Sequence, residues 1–190
     1  MGWLRARRCI PAIAALVLAA SAVGAPKPTP PSAGGNPRLA TALPFTLTDS
    51  LGQQRTLKSF RGKPVALFFY CGCTWCHKCA RLWGQMQKGG ALDSTHSTTL
   101  VVFQGDAAMS KAFLSETGLD PTRTVVLPDP SLDTTLKYHA ETCPRIFVLD
   151  PAGKIRYTNN HADDAPRKGP ETLIIGNTVS ALQQAAPKPR

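Results

Sequence analysis

The sequence predicts an α/β domain in which helices flank a central mixed β-sheet and a β-hairpin precedes the sheet. An apolar run, Val65–Tyr70, has the composition of a strand that is buried on both faces. Strand-like and helix-like segments alternate after this run. Two turn signals, Asp49–Gly52 and Asp150–Gly153, each separate a pair of short strand-like segments, which is typical of hairpins.

The N-terminus predicts export. Residues 1–25 combine several arginines, an apolar run and small residues at its end, which is the pattern of a signal peptide. The run is shorter than the roughly 20 residues that span a membrane, although an uncleaved membrane anchor is the alternative. Residues 26–42 are rich in proline and glycine and predict an extended linker. The folded domain is expected over residues 43–186, in the periplasm or outside the cell, where disulfides persist.

Hydrophobic periodicity and turn residues place each element in order. The predicted strands are Leu43–Thr48, Gln54–Leu57, Val65–Tyr70, Thr99–Phe103, Thr124–Leu127, Ile146–Leu149 and Lys154–Thr158. The predicted helices are Ala80–Lys88, Ala107–Thr117, Ser131–Tyr138 and Pro170–Gln184. Gly118 is expected to end the second helix, Ser131 to cap the third, and Pro170 to begin the last. A polar loop, Asn159–Gly169, precedes the last helix.

The charge composition excludes one class of partner. The chain carries 22 Lys and Arg against 12 Asp and Glu, which gives a net charge of +10. These basic residues are spread along the sequence and do not alternate with aromatic residues, so nucleic-acid binding is not predicted.

The cysteine-rich segment at residues 71–79 carries most of the functional information. Trp75 precedes a Cys-x-x-Cys, formed by Cys76 and Cys79, between the apolar strand and the predicted helix. Helix N-termini stabilise thiolates, and a second cysteine one turn later can resolve a mixed disulfide. We therefore predict that Cys76 is the exposed catalytic nucleophile and Cys79 the buried resolving thiol. A structural Cys76–Cys79 disulfide is the alternative.

The neighbours of Cys76 are predicted to adjust its reactivity. His77 and Lys78 add positive charge and no carboxylate is close in sequence, so the pKa of Cys76 is expected below the free-thiol value of about 8.5. Trp75 is expected to cover the dithiol as a partly exposed aromatic. For His77, a surface role at the helix end is as well supported as redox tuning.

Two further cysteines, Cys71 and Cys73, leave three alternatives open. They form a disulfide with each other that passes oxidation to Cys76, they bind Cu(I) or Zn(II) with the dithiol, or they pack as small apolar residues. The spacing matches no standard zinc or iron–sulfur signature.

The order of motifs resembles the thioredoxin superfamily, and within it the secreted redoxins of the alkyl hydroperoxide reductase/TlpA type. Four segments carry the resemblance: the hairpin over residues 43–52, the Gly62-Lys63-Pro64-Val65 approach to the strand, the Trp75–Cys79 dithiol, and residues 143–155. The resemblance implies a thioredoxin-like fold and a cis Cys143–Pro144 bond facing the dithiol. Pro144 would then expose a backbone edge to substrate, and Cys143 would lie beside the dithiol as a trap, a metal ligand or a packing residue.

The sequence also departs from these families. Peroxiredoxins use a Pro-x-x-x-Thr-x-x-Cys motif, but Tyr70 stands in the proline position and Thr74 is one residue too close to Cys76. Pro144 occupies the position of the peroxiredoxin arginine, and Arg145 is expected on the opposite face of its strand. Gly84 stands where thioredoxin-like helices commonly have a kink-forming proline.

The predicted function is an exported thiol–disulfide oxidoreductase that exchanges disulfides with protein thiols, with a membrane redox donor as a further partner. This enzyme needs no cofactor. One alternative is a copper-binding or copper-delivery protein similar to the Sco family, which would hold Cu(I) or Zn(II). The other is a redoxin-type thiol peroxidase with antioxidant activity, which the motif departures disfavour.

Overall fold

The computed structural model describes residues 41–159 and 170–187. The strands are β1 (Thr46–Thr48), β2 (Gln54–Thr56), β3 (Val65–Tyr70), β4 (Thr98–Phe103), β5 (Thr124–Pro128), β6 (Arg145–Leu149) and β7 (Ile155–Thr158). The helices are α1 (Thr74–Lys88), α2 (Ala107–Thr117), α3 (Asp133–Lys137) and α4 (Pro170–Ala185). The predicted signal peptide, most of the predicted linker and most of the predicted polar loop lie outside the described residues.

A five-stranded mixed sheet forms the centre of the fold, in the order β5-β4-β3-β6-β7. β3, β4 and β5 are parallel, whereas β6 is antiparallel to both of its neighbours. β1 and β2 form the separate antiparallel hairpin. This arrangement confirms the predicted α/β class with its thioredoxin-like fold. All residues of β3 are buried because the strand is central and is covered on both faces.

The two faces of the sheet bury different elements. On one face, Phe68 and Ile146 pack with residues of α1, α2 and α4, among them Trp83 and Phe113. On the other face, a second cluster joins the sheet to the N-terminal segment and to Tyr138, which follows α3. The cysteine-bearing helix α1 therefore lies on the first face.

Buried polar contacts fix α1 against the sheet. The indole N–H of Trp83 donates to Thr99 Oγ1 at 3.1 Å, and Gln87 Nε2 donates to Thr124 Oγ1 at 3.0 Å. Gly84 allows α1 to approach the end of α2, because a Cβ at this position would lie 2.7 Å from the carbonyl oxygen of Gly118.

Two predicted helix starts are wrong. α1 begins at Thr74, six residues before the predicted Ala80. α3 begins after Leu132, and Ser131 does not cap it, because the Ser131 hydroxyl donates to Asp133 instead. The carboxylate of Asp129 accepts the N–H groups of Thr134 and Thr135 at this helix start. In contrast, β3 and α2 have the predicted bounds, and Gly118 ends α2 with φ 67°.

No helix within residues 41–159 and 170–187 is long and apolar enough to cross a membrane.

Candidate redox site

The early start of α1 changes which cysteine is accessible. Cys73 is the N-cap residue of the helix and is exposed. Cys76 and Cys79 lie within the helix on its inward face, with exposed fractions of 0% and 1%. The prediction that Cys76 is the more exposed thiol is therefore wrong, because α1 includes both cysteines and directs them to the core with Ala80.

A second Cys-x-x-Cys, formed by Cys73 and Cys76, lies at the start of α1. A hydrogen bond of 3.5 Å joins the sulfurs of Cys73 and Cys76. One thiol of this pair is accessible to solvent and the other is protected, which is the asymmetry that stepwise disulfide exchange requires. Trp75 lies between them in sequence and is half-buried.

Cys71 forms a disulfide with Cys143, and not with Cys73. Their Cα atoms are 6.4 Å apart, which is within the normal range for a disulfide. Cys71 follows the end of β3 and Cys143 precedes β6, so the antiparallel pairing of these strands brings the two residues together. The Cys143–Pro144 bond is cis, as the resemblance implied, and Pro144 is buried.

Four sulfur atoms converge at this point. Those of Cys71, Cys73, Cys76 and Cys143 all lie within 4.8 Å of one another. The Cys71 and Cys76 sulfurs are 3.9 Å apart, and the Cys73 and Cys143 sulfurs are 3.8 Å apart. Among the described residues, the potential ligand group therefore contains Cys143 and omits Cys79, which differs from the set that the sequence suggested.

Burial dominates the electrostatics of Cys76. Desolvation raises the pKa of Cys76 to about 12, although backbone hydrogen bonds from Cys71 and Gly72 oppose the rise. Charge on the neighbouring Cys73 sulfur raises it further. The predicted lowering of this pKa is therefore wrong, because it assumed an exposed thiol at the helix start. A pKa of about 12 keeps Cys76 in its thiol form at neutral pH.

The surroundings of the site contain a carboxylate that the local sequence did not reveal. The Nε2 atom of His77 lies 2.9 Å from a carboxylate oxygen of Glu116, a residue of α2. The Nδ1 atom of His77 lies 3.1 Å from the carbonyl oxygen of Cys73. His77 therefore links the backbone of the exposed cysteine to α2, whereas Lys78 is exposed.

Two further residues at the site had no signal in the sequence. Asn159 donates from Nδ2 to the carbonyl oxygen of Pro144 at 2.9 Å and accepts the N–H of Ile146 at 2.8 Å. It therefore fixes the backbone of the cis-proline loop. The hydroxyl of Tyr70 is buried and has no hydrogen-bond partner within the described part of the chain.

Tyr70 also lies close enough to the dithiol for their charges to interact. Burial raises the pKa of Tyr70, and negative charge on Cys79 and Cys76 raises it further.

The Arg145 side chain packs on the face of the sheet opposite α1, as expected. Its guanidinium is 5.5 Å from the centre of the Phe147 ring, which belongs to the core on the opposite face of the sheet from α1. Arg145 therefore does not take the position that an arginine of peroxiredoxins has beside the reactive cysteine.

The sheet order, the cis-proline loop and a helix whose N-cap residue is a cysteine together define a redoxin with the thioredoxin fold. The model of the AhpC/TSA family matches residues 40–158. The chain belongs to this family. No curated protein matches the chain significantly.

Solved structures agree with this class. A thiol:disulfide interchange protein from Bacteroides sp. is 26% identical, with a TM-score of 0.51, and the match covers 63% of this chain and 79% of that one. A secreted Mycobacterium tuberculosis disulfide oxidoreductase homologous to E. coli DsbE is 20% identical, with a TM-score of 0.56 and coverage of 72% and 95%. Peroxidoxin BcpB from M. tuberculosis is 17% identical, with a TM-score of 0.60 and coverage of 76% and 94%. The last two matches show the shared fold alone, and the first is consistent with oxidoreductase activity.

Proposed function

We propose that this protein is an exported thiol–disulfide oxidoreductase that exchanges disulfides with protein substrates through Cys73 and Cys76. The observation that carries the proposal is the exposed Cys73 thiol at the start of α1, with the buried Cys76 thiol 3.5 Å away. The pair that the sequence predicts, Cys76 and Cys79, is less suitable because both thiols are buried.

The exchange proceeds in two balanced steps. The Cys73 thiolate attacks one sulfur of a substrate disulfide, which forms a mixed disulfide and releases one substrate thiolate. Cys76 then loses its proton and attacks the Cys73 sulfur, which forms the Cys73–Cys76 disulfide and releases the second substrate thiolate. Formation of the mixed disulfide removes the Cys73 charge that opposes ionisation of Cys76. An external dithiol, such as a membrane redox donor, returns the enzyme to its reduced form.

The cis-proline loop and the half-buried Trp75 are proposed to position the substrate. Pro144 lies next to Cys143 in sequence, and the sulfur of Cys143 is 3.8 Å from that of Cys73. An extended substrate that lies along this loop would bring its disulfide to the exposed thiol. Trp75 would cover the buried partner, Cys76.

Trapping of mixed disulfides tests the order of the two steps. Cys76→Ser should accumulate a covalent adduct between Cys73 and a disulfide-containing substrate such as insulin, because the resolving thiol is missing. Cys79→Ser is the matched control and should accumulate no adduct. Adducts on Cys76 in Cys73→Ser, or trapping by Cys79→Ser, would instead support Cys76 as the nucleophile.

Export is proposed from the signal-peptide pattern of residues 1–25, and the secreted relative from M. tuberculosis supports it. The substrates would then be proteins of the periplasm or the cell exterior. N-terminal sequencing of the protein recovered from these fractions tests the proposal. A new N-terminus near residue 26 supports cleavage, whereas an intact N-terminus in the membrane fraction supports an anchor.

Metal binding is a second candidate function, and the convergence of four sulfurs within 4.8 Å favours it. Thiolates suit Cu(I) and Zn(II), but Cys71 and Cys143 become ligands only after their disulfide is reduced. Metal analysis of the reduced protein after addition of Cu(I) or Zn(II) tests this candidate. Stoichiometric metal that is lost in Cys71→Ala/Cys143→Ala supports it, and a metal-free reduced protein excludes it.

A further inference from the structure

The Cys71–Cys143 disulfide has no part in the exchange described above, although it lies against both thiols of that pair. The Cys73 sulfur is 3.8 Å from Cys143, and the Cys76 sulfur is 3.9 Å from Cys71. Each sulfur of the disulfide therefore has a different thiol as its neighbour. A disulfide that only staples two strands has no need of such neighbours.

We propose that Cys71–Cys143 is a second redox-active disulfide, which exchanges electrons with the Cys73/Cys76 pair inside one molecule. The proposal rests on the proposed function, because it uses the same Cys73 and Cys76 thiols. A Cys71–Cys73 disulfide was one of the three alternatives that the sequence left open; in the structure, Cys71 is paired with Cys143 from a distant segment.

The internal exchange is balanced without an external reagent. The Cys73 thiolate attacks Cys143, the Cys71–Cys143 bond breaks, and Cys71 leaves as a thiolate that takes up a proton. Cys76 then loses its proton and attacks Cys73 across 3.5 Å, and Cys143 leaves and is protonated. The net result is a Cys73–Cys76 disulfide and two thiols at Cys71 and Cys143. Two electrons have moved from one pair to the other.

The position of Cys143 gives this exchange a consequence for the substrate site. Cys143 adjoins the cis-proline loop that is proposed to bind substrate, and both Cys71 and Cys143 are half-buried. The second disulfide is thus part of the surface that a substrate contacts. A fully oxidised molecule would accept four electrons, two for each disulfide.

Disulfide mapping in the whole protein tests the exchange directly. The protein is fully reduced, reoxidised to one disulfide per molecule, alkylated at low pH and analysed by fragmentation of the peptides that carry the cysteines. We expect two populations, one with Cys71–Cys143 and one with Cys73–Cys76. A single Cys71–Cys143 population under every redox buffer would overturn the proposal.

A variant that lacks the second step provides an independent readout. In Cys76→Ala, the first step cannot be resolved, so a Cys73–Cys143 disulfide with a free Cys71 thiol should appear without any substrate. A molecule that retains only Cys71–Cys143 contradicts the exchange.

A count of the electrons consumed in a redox titration distinguishes failure of the internal exchange from failure of the proposed function. Redox titration of the wild type should consume four electrons in coupled steps, whereas Cys71→Ala/Cys143→Ala should consume two. If both disulfides form but titrate independently, the proposed internal exchange is wrong. Reduction of insulin through Cys73 would still support the proposed function. If disulfide isomers appear but insulin is not reduced, the internal exchange stands and the proposed function fails.

Discussion

The polar groups at the two ends of β6 have different surroundings. After the end of β6, the Asp150 carboxylate accepts the N–H groups of Ala152 and Lys154 and pairs with Arg156 at 2.6 Å. At the start of β6, the disulfide of Cys143 lies beside two thiols, and the nearby Tyr70 hydroxyl has no partner among the described residues. The comparison indicates that the Asp150 turn stabilises the fold, whereas the cysteine end keeps reactive groups close together.

The largest expected effect comes from the cysteine end. Cys73→Ser should lower the rate of insulin-disulfide reduction by about 100-fold or more, because it removes the accessible nucleophile. Cys79→Ser is the matched control and should retain most of the rate. The reverse pattern would show that Cys76 and Cys79 form the working pair, despite their burial.

Substitutions in the Asp150 turn should change the stability of the protein and not its redox activity. Asp150→Ala removes a carboxylate that holds two backbone N–H groups and an arginine, so the free energy of unfolding should fall by about 2 kcal/mol. Arg156→Ala should cost less, because the Arg156 side chain is 55% exposed in the ion pair. Urea unfolding and insulin reduction are measured for both variants. A loss of activity in the folded Asp150→Ala protein would contradict the separation of roles between the two ends.

The stability supplied by these carboxylates should also depend on pH. Burial alone would raise the pKa of Asp150, but hydrogen bonds from Lys154 and Arg156 outweigh burial and lower it. The pKa of Asp49, in the turn between β1 and β2, is lowered in the same way. Burial would raise it, but hydrogen bonds that include those from Arg55 and the N–H of Gln53 outweigh burial. A lowered pKa contributes stability above the unfolded value of about 3.9, which is lost as pH falls through the folded value.

We therefore expect the urea midpoint to fall between pH 5 and pH 2 in wild type, by an amount that Asp150→Asn reduces. An equal slope in Asp150→Asn would mean that this carboxylate does not contribute to the acid sensitivity.

The smallest expected effect concerns Tyr70. Tyr70→Phe removes a buried hydroxyl that has no partner in the described residues and keeps the ring contacts with Phe68 and Phe113. The free energy of unfolding should therefore rise, by about 1 kcal/mol. Thermal and urea unfolding measure the change with the cysteines fully reduced. A decrease would show that the hydroxyl forms a hydrogen bond in solution.

Local signals explain which parts of this fold were predictable. The apolar composition of β3, the glycine after α2 and the Asp-Pro-Ala-Gly turn each act over a few residues, and their elements have the expected positions. The start of α1 gave no such signal, because Cys73 makes no side-chain capping hydrogen bond and Thr74 and Trp75 are weak helix formers.

Long-range contacts explain what the sequence missed at the site. Cys71 and Cys143 are 72 residues apart, and His77 and Glu116 are 39 residues apart. Spacing alone does not encode such pairs, which meet only because β6 is antiparallel to β3 and α2 packs beside α1. The catalytic roles of Cys73, Cys76 and Pro144 remain predictions.

The Cys71–Cys143 bond closes a covalent ring that contains α1, β4, α2, β5 and α3. In the chain-entropy treatment, closing a ring of this size restricts the unfolded chain enough to stabilise the fold by about 4 kcal/mol, whereas the small Cys73–Cys76 ring contributes only about 2 kcal/mol. Two isomers with the same number of disulfides would then differ in melting temperature. Internal exchange would therefore change the conformational entropy of the unfolded chain as well as the position of the electrons. Calorimetry would distinguish two isomers that have the same number of free thiols.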